Sequence, residues 1–316
     1  MQQRNLGRTG LKVSALGLGT LTWGRDTDEH EARDQLKSFV EAGGTLLDTA
    51  AGYGDGASEE LIGALLGDVV ARDEMVIATK AGVTRARGTR EVNVSRGQLI
   101  RTLDASLSRL GTDHVDLWQV HVWSDETPWE ETLSALDYAV ATGRAAYVGV
   151  SNYNAWQVAQ AATWQRAVPG RATLASVQVE YSLLNRGPEH EVLPAAQSLG
   201  LGVLAWAPLG RGVLTGKYRT GTPADSRAAS PHFGNYVGTY LEPRSAQVVE
   251  AVARAAEGLS WSPLEVALSW VRDRPGVTAA IVGARTASQL RGSLTVDECV
   301  LPDEIRGALE DVSSAS

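Results

Sequence analysis

Short apolar segments alternate along the chain with longer segments whose apolar residues recur at helical spacing. Several of the short segments are continuous apolar runs, which is typical of strands covered on both faces. The eight strand-like segments are VSALGLG (13–19), TLLDT (45–49), MVIATK (75–80), VDLWQVH (115–121), AAYVGVSN (145–152), LASVQVEY (174–181), LGVLAWAPL (201–209) and TAAIVGA (278–284). Eight strands separated by helices predict an α/β fold, a closed (β/α)₈ TIM barrel that forms a single domain over residues 1–316.

Two parts of the chain fall outside this alternation. The segment RNLGRTGLKV (4–13) precedes the first barrel strand and predicts a hairpin with its turn near Gly7 and Gly10. Between the seventh and eighth strands, residues 244–273 are partly helical, whereas residues 210–243 show no clear periodicity and are rich in Gly, Ser, Thr and Pro. Structureless loops of that length are uncommon and often functional, so we interpret this segment as a lid over a cofactor.

Several helix starts are indicated by capping boxes, in which an N-cap hydroxyl and a carboxylate or amide three residues later each accept from the other's backbone N–H. The pairs are Ser95 with Gln98, Thr127 with Glu130, Ser262 with Glu265 and Thr286 with Gln289. These helices support the barrel prediction.

An open, doubly wound sheet is the competing architecture. No G-x-G-x-x-G sequence follows any predicted strand, which argues against it. The sequence GRGVLTGKY also departs from the phosphate-loop pattern, because Arg211 occupies the place of the first required glycine.

Composition limits the classes of partner. The chain is 43% hydrophobic and carries a formal net charge of −8, so it can bury a full core but lacks the basic surface that nucleic-acid binding requires. Its one cysteine, Cys299, excludes a disulfide framework and fits a reducing compartment. The sequence shows neither the apolar core of a signal peptide nor a run of about 18 apolar residues. We therefore expect a cytoplasmic protein with no membrane partner; the oligomeric state stays open, a homo-oligomer included.

Polar side chains come at the ends of three consecutive predicted strands. Asp48 lies near the end of the second strand, Lys80 ends the third and His121 ends the fourth, while Tyr53 follows a few residues after the second. The C-terminal ends of parallel barrel strands face one mouth, so these side chains are expected to converge there. Each residue alone is more often a cap, a packing residue or a solvated charge, and the hypothesis depends on the four together.

An acid, a phenol, an amine and an imidazole at one mouth suggest proton transfer by the tyrosine. A free Tyr has a pKa of about 10, and the ammonium of Lys80 is expected to lower the pKa of Tyr53 by stabilising the phenolate. Asp48 would keep Lys80 charged, and His121 would hydrogen-bond the same reacting oxygen. Hydride addition to a carbonyl fits this set, and a nicotinamide cofactor is implied because no side chain supplies a hydride.

Several segments also match the signature sequences of one family. They are LLDTAAGYGDGASEELIGALL, IATKAG, DLWQVH, YVGVSNY and QVEYSLL. The chain resembles the aldo-keto reductases over nearly its whole length, from RNLGRTGLKVSALGLGT to IVGARTASQL. The resemblance implies a (β/α)₈ barrel, an NADP(H) cofactor bound in extended form, and a catalytic tetrad in which Tyr53 is the general acid beside Lys80, Asp48 and His121.

The resemblance further implies a set of cofactor contacts. Ser151, Asn152 and Gln178 would hydrogen-bond the nicotinamide carboxamide, Trp206 would stack on its ring, and Lys217 would contact a phosphate. Gly283, Arg285 and Gln289 match the adenosine-phosphate end. The remaining cofactor-binding residues carried over are Thr20, Asp48, Leu209, Gly212 and Arg227.

The adenine end departs from the family pattern. Many relatives carry an acid–Asn pair where this chain has Gly292 and Ser293, so adenine-side affinity and the strength of an NADP over NAD preference are in doubt. On the substrate side, Trp23 and Trp123 follow the first and fourth strands and are expected to line an aromatic wall beside Tyr53 and His121.

The sequence thus predicts NADPH-dependent, reversible reduction of an aldehyde or ketone. One alternative is an NADP-binding, redox-sensing regulatory subunit with weak reductase activity. Another is a barrel enzyme of different chemistry, such as a metal-dependent lyase. No metal is expected, because the five His show no H-E-x-x-H or other ligand spacing. The physiological carbonyl substrate cannot be deduced from the sequence.

Overall fold

The computed structural model describes residues 1–86, 89–224, 226–230 and 233–314, with the backbone alone at 85, 86, 89 and 227. In these residues the strands are β1 (Gln3–Asn5), β2 (Lys12–Ser14), β3 (Leu16–Gly19), β4 (Leu46–Asp48), β5 (Val76–Ala81), β6 (Val83–Ala86), β7 (Thr89–Val92), β8 (Val115–Val120), β9 (Ala145–Ser151), β10 (Leu174–Glu180), β11 (Gly202–Trp206) and β12 (Val277–Val282).

The α-helices of the described residues are α1 (Glu29–Glu41), α2 (Ala57–Leu65), α3 (Arg96–Leu110), α4 (Trp129–Ala141), α5 (Ala155–Ala167), α6 (Val192–Leu199), α7 (Gly234–Gly238), α8 (Pro243–Leu259), α9 (Pro263–Arg272), α10 (Ala287–Leu294) and α11 (Asp303–Ser313). Short 3₁₀ helices lie at Tyr53–Gly56, Arg72–Glu74, Gly187–Glu189, Gly210–Thr215, Arg227–Ala229 and Thr295–Glu298. Among the helices described, none has both the length and the apolar character needed to cross a bilayer.

Eight parallel strands of the described chain close into a barrel in the order β3, β4, β5, β8, β9, β10, β11 and β12. Leu18 of β3 pairs with Leu47 of β4 on one side and with Val282 of β12 on the other, which closes the ring. Every residue of β3 and of β12 is buried, because one face fills the barrel and the other packs on the helices. The predicted (β/α)₈ barrel is confirmed.

The N-terminal hairpin closes the bottom of the barrel. Strands β1 and β2 pair antiparallel, and their connection packs against the start of β11. Gly7 has φ 57°, and a Cβ there would lie 2.5 Å from Gly200 O, so glycine permits this close approach. The hairpin and the barrel interior share one buried apolar cluster: Leu6, Val13, Leu46, Ala78, Leu117, Ala175, Leu204, Ala279 and Ile281. The opposite mouth, at the C-terminal strand ends, is left for a site.

The segment between β11 and β12 contains more regular structure than its sequence indicates. The stretch without periodicity contains two short 3₁₀ turns, Gly210–Thr215 and Arg227–Ala229, and the single turn α7. Each is too short to produce a detectable apolar period. The helices expected over 244–273 are found as α8 and α9.

Three of the four predicted helix starts are confirmed, because Ser95, Ser262 and Thr286 are the N-cap residues of α3, α9 and α10. Ser262 Oγ accepts from Glu265 N at 3.2 Å while Glu265 Oε2 accepts from Ser262 N at 2.7 Å, and Thr286 Oγ1 accepts from Gln289 N at 3.2 Å. The capping box expected at Ser95 is wrong, because α3 has no side-chain capping bond. The start expected at Thr127 is wrong by one residue, because the N-cap of α4 is Pro128.

Candidate active site

Three neighbouring strands bring the predicted tetrad to the C-terminal mouth. Asp48 is the last residue of β4, Lys80 lies near the end of β5 and His121 follows β8 directly. Because β5 pairs with both β4 and β8, the three side chains come from neighbouring strands of the barrel. Tyr53 begins the 3₁₀ turn after β4, where its N donates to Ala50 O at 3.0 Å. The structure therefore assembles all four residues at one place.

A buried ion pair lies at the centre of this group. Lys80 Nζ donates to Asp48 Oδ2 at 2.7 Å and to Thr49 O at 2.8 Å. Gln178 Nε2 donates to Asp48 Oδ1 at 2.7 Å, so both carboxylate oxygens are held. Burial alone would lower the pKa of Lys80, but the Asp48 carboxylate and the contacts with Tyr53 raise it above its ordinary value. The amine is therefore a stable ammonium at neutral pH.

Tyr53 lies beside this ammonium and is half-buried in the cleft wall. Lys80 Nζ is 5.3 Å from the Tyr53 ring centroid, and the rings of Tyr53 and His121 meet edge-on with centroids 5.9 Å apart. Burial raises the pKa of Tyr53 above its ordinary value; the charge of Lys80 opposes this shift and that of Asp48 adds to it. Lys80 acts on the Tyr53 pKa in the expected direction, but the expected net lowering is wrong because desolvation outweighs the ammonium. The phenol stays protonated at neutral pH.

His121 is neutral for the same reason. Burial, followed by the charges of Lys80 and Arg90, lowers the pKa of His121 to about 3. Its backbone N donates to Ala81 O at 2.8 Å, which fixes the residue at the end of β8. Its Nδ1 is buried and has no hydrogen-bond partner among the described residues. A neutral imidazole in the cleft wall can hydrogen-bond a ligand oxygen without exchanging a proton.

A hydrogen-bonded wall continues from His121 toward β11. Asn152 has φ 57°, a left-handed conformation that asparagine tolerates. Its Nδ2 donates to His121 O at 3.0 Å and its Oδ1 accepts from Trp206 Nε1 at 3.0 Å. Ser151 Oγ donates to Gln178 O at 3.1 Å. These bonds fix the Trp206 indole relative to His121 and Gln178.

A cleft of about 900 Å³ extends over the mouth. It is as large as the larger small-molecule sites of proteins, which reach about 1,000 Å³. The predicted site residues that line it are Asp48, Tyr53, His121, Ser151, Asn152, Gln178, Trp206, Leu209, Gly212, Lys217, Gly283, Arg285 and Gln289. Gly292 and Ser293, the departures from the family pattern, line it as well.

Besides Lys80, which is buried beneath Tyr53 and Asp48, two predicted residues lie behind the cleft wall. Thr20 is fully buried, and its Oγ1 donates to Asp48 O at 3.2 Å and accepts from Ser58 Oγ at 2.7 Å. Trp23 is also fully buried, with its Nε1 donating to Gln35 Oε1 at 3.0 Å. The expectation that Trp23 forms a substrate wall is therefore wrong, because its ring packs in the core between β3 and α1.

Trp123 is on the rim, beyond the residues that line the cleft. It packs edge-on against Tyr153 and Trp156 at centroid distances of 5.2 and 5.3 Å, and its Nε1 donates to Asp125 Oδ1 at 2.6 Å. The side chain of Arg227 lies outside the described residues.

Two charged residues that line the cleft were not predicted from the sequence. Arg211 makes paired hydrogen bonds of 2.8 and 2.6 Å to Glu180 and lies 3.9 Å above the Tyr236 ring. Arg90 belongs to the hairpin formed by β6 and β7, for which no prediction was made. The signal for Arg211 was a charged residue between two glycines in the proposed lid; nothing local marks Arg90.

Comparison with known proteins gives the family. The model of the aldo/keto reductase family matches residues 15–313, nearly the whole chain. The chain belongs to the aldo/keto reductase family.

Similar proteins carry several names. An uncharacterized oxidoreductase, YrpG, of Bacillus subtilis (strain 168) is 37% identical over 99% of this chain and 96% of its own length. A probable voltage-gated potassium channel subunit beta of Oryza sativa subsp. japonica is 35% identical over 92% of this chain and 89% of its own. L-glyceraldehyde 3-phosphate reductase of Escherichia coli (strain K12) is 36% identical over 92% of this chain and 86% of its own length.

This aldo/keto reductase is therefore an oxidoreductase that acts on carbonyl compounds. Members of the family generally use NAD(P)H as the hydride donor. The barrel and the enzyme class expected from the sequence are both confirmed.

Proposed function

We propose that the protein catalyses the reversible, NADPH-dependent reduction of an aldehyde or ketone to an alcohol, with Tyr53 as general acid. The observation that carries the proposal is the phenol of Tyr53, which lines the cleft beside the Lys80–Asp48 pair. A proton donor of this kind is needed wherever a carbonyl oxygen becomes an alcohol oxygen.

The role of each tetrad residue follows from its protonation state. Tyr53 is protonated at neutral pH and donates its proton to the carbonyl oxygen. Lys80 stabilises the phenolate that results, and Asp48 holds Lys80 charged and in place. The neutral His121 orients the carbonyl oxygen through a hydrogen bond. When bound, the nicotinamide supplies the hydride for the carbonyl carbon.

The cleft has a lining suited to a dinucleotide phosphate. Near the tetrad, Ser151, Asn152 and Gln178 offer polar groups for a carboxamide, and the face of Trp206 is available for an aromatic ring. Of the charged side chains that line the cleft elsewhere, Lys217 is suited to a pyrophosphate.

Arg285 is the residue that we propose for the 2′-phosphate of NADPH. It directly precedes Thr286, the N-cap of α10, where backbone N–H groups and the helix dipole also favour an anion. Gln289 Oε1 accepts from Arg285 N at 3.0 Å and holds this turn. At Gly292, an added Cβ would meet no atom within 4 Å, so the adenine side offers open space rather than a specific polar contact.

We further propose that residues 210–240 act as a lid that orders over the cofactor. The Arg25 guanidinium lies 4.5 Å above the Phe233 ring, which links the loop after β3 to this segment. Arg211 Nη1 donates to Tyr236 O at 2.6 Å and holds the start of the segment to α7. Phe233, Tyr236 and Gly212 all line the cleft, so the segment already lies along it.

The test is NADPH oxidation across a panel of aldehydes and ketones, with Tyr53→Phe as the matched variant. Wild type should turn over several simple aldehydes, and the variant should lose about 10²- to 10⁴-fold in kcat while its NADPH affinity changes little. Turnover above roughly a tenth of wild type in the variant would contradict the assignment of Tyr53.

A redox-sensing regulatory subunit is the second candidate, favoured by the similarity to proteins named potassium channel β subunits. Such a subunit would bind NADPH tightly yet reduce aldehydes only slowly. Steady multiple turnover of a simple aldehyde, at rates ordinary for enzymes, would reject it.

A further inference from the structure

The charge of the cleft is opposite to that of the protein. The chain as a whole carries a formal charge of −8. The charged residues that line the cleft, within the described part of the chain, are Asp48 on the acidic side and Arg90, Arg211, Lys217 and Arg285 on the basic side. Asp48 is neutralised by Lys80. A cationic cleft on an acidic protein indicates anionic ligands.

Three of the four cationic side chains already have a partner or a proposed ligand. Arg211 is paired with Glu180 at 2.6 Å, and Lys217 and Arg285 are the residues proposed for cofactor phosphates. All three follow β11 or β12. Arg90 comes from a different side of the barrel mouth. Its hairpin lies between β5 and β8 in the chain, and β5 is directly opposite β11 in the barrel order. Arg90 is thus on the tetrad side of the mouth.

The hairpin that carries Arg90 is held close to Tyr53. A Cβ on Gly52 would lie 2.7 Å from Val83 O, so the backbone before Tyr53 packs directly on β6. Asn93 N donates to Gly82 O at 3.0 Å and closes the base of the hairpin. Arg90 lines the same cleft as Tyr53 and His121, whereas its neighbour Glu91, on the alternate face of the strand, does not.

Arg90 forms no ion pair with a carboxylate in the described part of the chain. Its charge nevertheless acts at the reacting group, since it contributes to the lowered pKa of His121 after burial and Lys80. An arginine guanidinium presents donors suited to a carboxylate or a phosphate.

We propose that Arg90 binds an anionic group on the substrate, so that the preferred substrates are carbonyl compounds that carry a carboxylate or a phosphate. This inference depends on the proposed reductase function. Arg90 is a specificity-determining residue in it: it contacts the charged end of the substrate while Tyr53 and His121 contact the carbonyl oxygen.

The experiment compares kcat/KM for two matched pairs of aldehydes. The first pair is butanal and 4-oxobutanoate, and the second is glyceraldehyde and glyceraldehyde 3-phosphate. Wild type should prefer the charged member by about 10- to 100-fold, the factor expected of one charge-assisted hydrogen bond, and mainly through KM. The pair with the larger ratio distinguishes a carboxylate from a phosphate as the natural group.

The variants are Arg90→Gln, Arg90→Lys and a control, Arg254→Gln. Arg90→Gln should remove most of the preference and Arg90→Lys should retain part of it. Arg254 is 77% exposed on α8, so its variant should keep the wild-type ratio. Because Arg90 is exposed, raising the ionic strength should also reduce the wild-type preference.

A second readout does not depend on turnover. Calorimetric titration of the NADP⁺-loaded protein with succinate and with inorganic phosphate should show binding that Arg90→Gln weakens and Arg254→Gln does not. A wild-type ratio near one in both aldehyde pairs, or an unchanged ratio in Arg90→Gln, overturns the inference while the reductase function stands. If wild type reduces none of the four aldehydes, the proposed function fails and this inference fails with it.

Discussion

Replacing Lys80 with Met should destabilise the barrel, because the Asp48 carboxylate would stay buried without its counter-ion. The two side chains are only 1% and 3% exposed. Removing one partner of a buried ion pair costs about 3–5 kcal/mol. With an unfolding entropy of about 2.1 cal/mol/K per residue, a loss of about 4 kcal/mol in a chain of 316 residues lowers Tm by roughly 6 °C.

The assay is thermal unfolding followed by circular dichroism at pH 7 and a single scan rate. Arg33→Met is the matched control, because it removes the same charge from a surface pair with Asp68 whose side chains are 38% and 57% exposed. Exposed pairs of this kind contribute little to stability because water screens them, so Arg33→Met should shift Tm by much less than Lys80→Met. A Lys80→Met shift no larger than the control shift would refute the account of the buried pair.

A double variant separates charge from packing. Adding Asp48→Asn to Lys80→Met replaces the stranded carboxylate with a neutral amide. The double variant should therefore be more stable than Lys80→Met alone, although it stays below wild type. If it is no more stable than the single variant, the loss arises from packing of the lysine stem and not from the buried charge.

Three further predictions concern the rest of the site. The native pKa of His121, about 3, lies below its unfolded value of about 6.5, so this group contributes stability that is lost as pH falls from 6.5 toward 3. The Tm of His121→Asn should accordingly fall less than that of wild type between pH 7 and 5. An identical pH dependence of Tm would contradict the lowered pKa of His121. Arg285→Gln should weaken NADPH binding at least about tenfold and NADH binding little, measured by fluorescence titration; equal losses would show that Arg285 does not bind the 2′-phosphate. Saturating NADP⁺ should slow tryptic cleavage after Lys217 and Arg219, and unchanged cleavage would dismiss the lid.

The sequence alone was sufficient to predict the barrel architecture. A buried parallel strand needs a continuous apolar run, and its end is marked where polar residues or turn residues begin, so each strand could be located within a few residues. Because the C-terminal ends of all barrel strands share one mouth, Asp48, Lys80 and His121 could be placed together without knowing any contact. Family resemblance then added the cofactor residues, and most of them line the cleft.

The sequence did not determine how each side chain is oriented or hydrated. Trp23 and Trp123 both follow barrel strands, yet one is fully buried against Gln35 and the other packs on the rim, since neighbouring elements decide which way a ring turns. The short turns in residues 210–240 escaped detection because they span less than two helical periods.

Electrostatics depended on the tertiary structure most of all. The sequence predicted that Lys80 lowers the pKa of Tyr53, and its charge does act in that direction, but burial of the phenol in the folded barrel raises the pKa by more. Likewise, no local pattern distinguishes Arg90 from a solvated surface charge; only the packing of its hairpin against Gly52 brings it to the cleft. Strand position is encoded locally in the chain, whereas desolvation and charge proximity arise from residues far apart in sequence, and so only the folded structure decides them.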